Sequence, residues 1–136
     1  MDNIVTSHIV PEADRVAFVD KLFGINYVLK LEPAVFTFAE ELSANYDYGY
    51  WEFLALSNGG FYMAPHSDTI FNVISQNGFE CEMTADALGI VSCLDAFSHL
   101  SFGQDAFAQT CANHYHLLRD YMFVHPEIRR ILAAID

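Results

Sequence analysis

The stretch 46–65 constrains the fold of this chain more than any other. Two β-rich runs, residues 50–56 and 61–64, flank the tetrapeptide Ser57-Asn58-Gly59-Gly60. Asn58-Gly59 between such runs supplies the positive φ angles that a tight antiparallel hairpin requires. Pro65 then ends the second strand, because it has no N–H to give to a ladder. Alternation puts Trp51 and Phe53 on one face of the first strand, with Tyr50 and Glu52 on the other. Residues 69–75 read as a third strand, Gln76-Asn77-Gly78 as a turn, and 79–83 as a short edge segment.

On either side the apolar spacing changes to that of helices. Pro11 fits a first helical turn, Glu12 and Asp14 suit the positive end of the dipole, and Gly24 stops the helix. Its apolar face reads as Ala13, Val16, Ala17, Val19 and Phe23. An apolar connection, 25–31, leads to a second helix opened by Glu32-Pro33 and running to about Asn45. After the strands, Thr84 is an N-cap with Asp86 in the first turn. Gly89 inside that helix costs about 1 kcal/mol against alanine and marks a close approach by a neighbouring element. Gly103 and Asp105 start a long helix through about Val124, with Phe107, Cys111, Leu118 and Met122 inward. Pro126 opens a final short helix. Strands clustered between helices give an α+β fold: a small antiparallel sheet of about three strands with four to five helices. At 136 residues, without repeats or linkers, 1–136 reads as a single compact domain.

Charge says what such a domain meets. Residues 31–118 contain no lysine or arginine and eleven Asp and Glu, while the flanks nearly balance, giving −12 overall. Direct binding of DNA or RNA needs cations to displace counterions from phosphates, so that class is excluded. A basic protein partner is permitted, and the acidity also serves solubility. No apolar run is long enough to span a bilayer, and Met1-Asp2-Asn3-Ile4 is no secretory leader. Three widely spaced cysteines, Cys81, Cys93 and Cys111, suit a reduced cytoplasmic setting.

Catalytic devices are not signalled. His114 and His116, two apart on a helix, point about 200° from each other and do not share a metal. Ser57 does not sit in Gly-x-Ser-x-Gly, and Gly59-Gly60 has neither a following lysine nor a helix to bind phosphate. No catalytic residue, metal or cofactor is expected, and the chain reads as a non-enzyme. Tyr46, Tyr48 and Tyr50 approach the hairpin as a candidate partner surface, because tyrosine concentrates at interfaces. Glu127 and Asp136 extend that candidate surface at the C-terminal end. Trp51, Asn58, Gly59, Gly60, Pro65, His125 and Pro126 read as structural; Pro126 and Glu127 are ordinary helix-start residues.

Gly49-Tyr50-Trp51, Asn58-Gly59-Gly60-Phe61-Tyr62, Pro65, Ala87-x-Gly89-Ile90 and His125-Pro126-Glu127 together resemble the antirestriction protein family of ArdB/KlcA type. Phe23-Gly24 and the Glu32-Pro33 helix extend the likeness over most of the chain. Tyr48 departs from it, since many relatives are expected to carry glycine there. The resemblance implies relief of host type I restriction of incoming plasmid or phage DNA. Its implied partner is the restriction complex or an associated factor, met by a monomer or weak homodimer. Two routes follow: a protein-level inhibitor that leaves DNA free, or an acidic DNA mimic occupying the enzyme's DNA-binding channel. Eleven acids at one charge per ~1.7 Å imitate only about 19 Å of duplex, which favours the first.

Overall fold

A computed structural model describes residues 4–136; Met1, Asp2 and Asn3 lie outside them. The chain runs through β1 (Ser7–Ile9), a 3-10 turn (Glu12–Asp14), α1 (Arg15–Phe23), a π-helical turn (Tyr27–Leu31) and α2 (Glu32–Leu42). It continues through β2 (Trp51–Leu56), β3 (Phe61–Pro65), β4 (Phe71–Ile74), β5 (Glu80–Met83), α3 (Ala85–Leu100), α4 (Ala106–Met122) and α5 (Ile128–Ile135). The expected α+β architecture is present, with the strands divided into a β1-β2-β3 sheet and a β4-β5 hairpin, all antiparallel. No helix among the described residues is long and apolar enough to cross a membrane.

The 46–65 hairpin forms as read, with Trp51 opposite Pro65 and Ala55 opposite Phe61. Its turn works differently. Gly59 has φ +91°, but Asn58 does not adopt positive φ. Asn58 acts through its side chain: Oδ1 accepts from the Gly60 amide at 2.9 Å, and Nδ2 donates to the Leu117 carbonyl at 2.9 Å. The turn is therefore tied to α4. β1, which the periodicity does not reveal, adds to the free edge of β2 with Ser7 opposite Leu56.

α1 differs from expectation in its buried side. Val16 is 80 % exposed, and Ala13 and Ala17 also face solvent. Val19 and Phe23 turn inward as read, joined by Phe18 and Leu22, because the larger aromatic and aliphatic side chains bury more apolar area. The 25–31 connection is not extended; its π-helical turn runs directly into α2. α2 ends at Leu42, short of Asn45, because Ser43 becomes extended and bridges Val73 of β4. Asn45 then accepts from the Asn72 amide and donates to the Ile70 carbonyl, clamping β4 in place.

α3 is the central element, buried along most of its length and packed on β3, α2, α4 and α5. Thr84 caps it, accepting from the Ala87 amide. Gly89 marks the close approach expected of it: a Cβ there would lie 2.4 Å from the Met63 carbonyl oxygen and 2.5 Å from Ala64 Cβ. A helix carrying any side chain at this point would be pushed off the sheet. The sheet's inner face meets Phe23 and Tyr27 in an aromatic cluster with Phe53 and Phe61, centroids 5.6–6.4 Å apart.

Candidate functional site

The N-terminus of α3 is joined to the α4–α5 junction by a chain of polar contacts. Tyr62 Oη donates to Asp86 Oδ1 at 2.8 Å, and His125 Nε2 lies 2.7 Å from Asp86 Oδ2. His125 Nδ1 accepts from the Glu127 amide at 3.0 Å. That bond leaves the ring proton on Nε2, where it is donated to Asp86. Glu127 turns its carboxylate back on Thr84, accepting from the backbone amide at 3.0 Å and from the hydroxyl. The capping residue of α3 is thus held by the residue that opens α5. His125 is buried, and both its nitrogens are occupied within the fold. It is a strut rather than a free base.

Asp86 also reaches outward. It lines a cleft of about 510 Å³ with Glu52, Pro65, His66, Asp68, Thr84 and neighbouring residues. Glu52 and His66 hydrogen-bond across the mouth. A second cleft of about 700 Å³ lies between α2 and α3, where Asp95 is half-buried. Burial first, and the Glu41 charge second, push its carboxyl up to about 7. A third groove of about 620 Å³ is bordered by Glu40, Glu41, Glu80 and Glu82.

The candidate surface residues do not form one patch. Tyr46 is 8 % exposed and accepts from Trp51 Nε1 at 2.9 Å, so it belongs to the core and not to a partner surface. Tyr48 and Tyr50 are exposed. Arg15 lies over the Tyr50 ring at 4.7 Å and the Phe53 ring at 4.6 Å, and its guanidinium donates to the Tyr50 phenol. The Glu127 carboxylate is engaged by Thr84 and is mostly covered, which removes it as a free contact. Asp136 is exposed at the end of α5. Pro126 is exposed, next to His125.

The histidine and cysteine side chains follow their burial. His114 faces Phe23 at 4.7 Å and Phe97 at 5.7 Å, while His116 is exposed on the opposite side of α4. Burial lowers the His114 pKa to about 4, and its Nδ1 has no hydrogen-bond partner. Cys93 and Cys111 are buried, and desolvation pushes both thiols up to about 12, so neither presents a thiolate at neutral pH. Among the described residues no three His, Cys, Asp or Glu are placed to hold a metal ion. The Asp86–His125 pair was missed by sequence reasoning. Its members lie 39 positions apart, and only the His125-Pro126-Glu127 triplet gave a local signal.

Comparison with known proteins places these features in context. The family model described as antirestriction protein matches residues 44–136. An antirestriction protein KlcA of Escherichia coli is 40% identical over 132 residues, covering 93% of this chain and 90% of the relative. The uncharacterized protein YafX of Escherichia coli K12 is 39% identical over 133 residues, covering 93% and 85%. A solved structure superposes with a TM-score of 0.91 at 36% identity, covering 100% of this chain and 98% of the other. It comes from work on KlcA and ArdB proteins, described as having a novel fold and antirestriction activity against type I DNA restriction systems in vivo but not in vitro.

Proposed function

The chain belongs to the antirestriction protein family, and from that premise we propose that it relieves type I restriction of incoming DNA as a non-enzymatic, protein-level inhibitor. Its target is the restriction complex or a factor that the complex needs, and the unit that acts is 1–136 as a whole. The contact is made inside the cell, with the DNA left unbound.

The observation that carries this reading is the fate of the eleven acids in residues 31–118. Glu32 accepts from Tyr27, Glu52 pairs with His66, and Asp86 holds Tyr62 and His125. Asp105 caps α4 and pairs with Lys30 at 3.7 Å, and Asp95 is half-buried with its pKa raised to about 7. That leaves Glu40, Glu41, Asp47, Asp68, Glu80 and Glu82 as exposed acids outside these pairings. At the charge density of duplex DNA, six acids imitate only about 10 Å. Such a surface suits a basic protein patch better than a DNA-binding channel. The relative's activity in vivo but not in vitro supports an indirect route for this chain as well.

The test is plating of unmodified phage on restricting cells that express the chain, set beside DNA cleavage by the purified restriction enzyme with the chain added. Protection in cells without inhibition of the purified enzyme is the expected outcome. Inhibition of the purified enzyme that is competed away by duplex DNA would replace this reading with DNA mimicry.

A further inference from the structure

The cleft of about 700 Å³ between α2 and α3 is built from two facing stripes. Asp95, Ser98, His99 and Phe102 recur at helical spacing and so share one side of α3 and the turn that follows it. Ala34, Phe38 and Glu41 do the same on α2. Phe38 and His99 meet edge to face, centroids 6.0 Å apart. Phe102 is 84 % exposed, more than any other large apolar side chain among the described residues. The Asp95 carboxylate is half-buried, and among the described residues it takes part in no hydrogen bond and no ion pair.

These features call for a cation. A carboxylate sheltered from water without a donor is costly, and burial together with Glu41 pushes the Asp95 carboxyl up to about 7. Asparagine has the same shape without that cost, so the acid works against folding stability at neutral pH and points to a use outside folding. Residues 31–118, which include both helices that wall the cleft, contain no lysine or arginine to neutralise it. The rings of Phe38 and Phe102 add faces on which a guanidinium stacks. A nucleic-acid base would also stack, but its phosphates would meet Asp95 and Glu41. Two observations favour a protein over a free amine as the source of the cation. Phe102 lines the cleft yet stays in water, and only a partner broader than the cleft would cover it. Glu41 also borders the groove that holds Glu40, Glu80 and Glu82, so the negative surface continues beyond the cleft.

We propose that the α2–α3 cleft receives an arginine side chain of a partner protein. The guanidinium pairs with the Asp95 carboxylate and stacks against Phe102, while the partner's surface covers the rest of that ring. This rests on the protein-level reading above, and it names the chemistry of one contact within it.

The cleft is tested by titrating acetyl-Leu-Arg-Leu-amide into the full chain, followed by NMR of the backbone amides. The same peptide with citrulline, neutral and of the same shape as arginine, is titrated beside it. The amide signals of Phe38, Asp95, His99 and Phe102 are expected to shift with the arginine peptide, and added salt should weaken the binding. Asp95→Asn and the citrulline peptide should each weaken it about ten-fold, and Phe102→Ala about three-fold. Both variants should relieve restriction less well in cells, although Asp95→Asn melts higher than the wild type at neutral pH. An absence of shifts at the cleft, equal binding of the citrulline peptide, or an Asp95→Asn variant that binds as the wild type does would overturn the proposal. Ethylguanidinium that binds as tightly as the peptide would also overturn it, by putting a small cation in place of the partner protein. If the wild type itself gives no relief in cells, the protein-level reading falls, and the peptide titration still decides on the cleft.

Discussion

Asp86 on α3 and His125 at the α4–α5 junction hold one another at 2.7 Å, although 39 positions separate them in sequence. Tyr62 and the Glu127 amide complete the network, so each buried polar atom of the His125 ring has a partner.

Removing one member leaves the others unsatisfied. His125→Ala should lower unfolding stability by about 2 kcal/mol, and Tyr62→Phe by about 1 kcal/mol. Urea denaturation measures both. Asp86→Ala combined with His125→Ala should cost less than the sum of the two, since they share one interaction. Strict additivity would mean that the network is not coupled.

Gly89→Ala provides a sharper test of packing. Helix propensity alone predicts a gain of about 1 kcal/mol. The new methyl group would fall 2.4 Å from the Met63 carbonyl oxygen, where only backbone movement makes room. The variant should instead lose about 1–3 kcal/mol, as overpacked cores do. A stabilised variant would show that α3 does not lie on β3 as described.

His114 and Asp95 should give opposing pH dependences. The His114 pKa is lowered from 6.5 to about 4 by burial. The folded state therefore binds fewer protons there than the unfolded chain; stability is full above pH 6.5 and falls as pH drops toward 4. The Asp95 pKa is raised from 3.8 to about 7, so its contribution is full below 3.8 and is lost as pH rises toward 7. The His114 contribution amounts to about 3 kcal/mol at most, and that of Asp95 to about 4 kcal/mol. The wild type should be nearly flat between these limits. His114→Phe should tilt the profile toward acid stability, and Asp95→Asn should stabilise most near neutral pH. Chemical denaturation across a pH series reads both slopes, and identical profiles for all three proteins would refute the assignment.

Thiol reactivity should separate the cysteines. Cys81 is half-buried on β5, whereas Cys93 and Cys111 are enclosed and their thiols are pushed up to about 12. A maleimide reagent should label Cys81 in the native chain and reach the other two only after denaturation. Mass spectrometry of the labelled peptides checks this. Rapid native labelling of Cys93 would mean that the α3–β3 contact opens readily.

The sequence made legible whatever is encoded within a few residues. The β2–β3 hairpin, the Thr84 and Asp105 caps, the Gly24 stop and the reason for Gly89 all follow from local patterns. Features set by distant partners were not legible. β1 is three residues long and exists only through pairing 45 or more positions away. Tyr46 looked like a surface residue until Trp51 and Phe71 enclosed it. On α1, Val19 and Phe23 are legible as buried, but alanine and valine spacing also points Ala13, Val16 and Ala17 inward, whereas the greater area of Phe18 and Leu22 decides the rest of that side. The candidate site divides in the same way. The His125-Pro126-Glu127 triplet was visible, but its attachment to Asp86 and Thr84 depends on two helices meeting end to side.

The central placement of α3 has a consequence for dissecting this protein. The family match begins at residue 44, immediately after α2. Yet α2 covers one side of α3, and its Val35, Ala39 and Leu42 are almost wholly shielded from water. Excising 44–136 would strip that cover and leave a greasy flank of α3 bare. Such a fragment should aggregate, so the stretch that the family model matches is not a module that can be transplanted by itself.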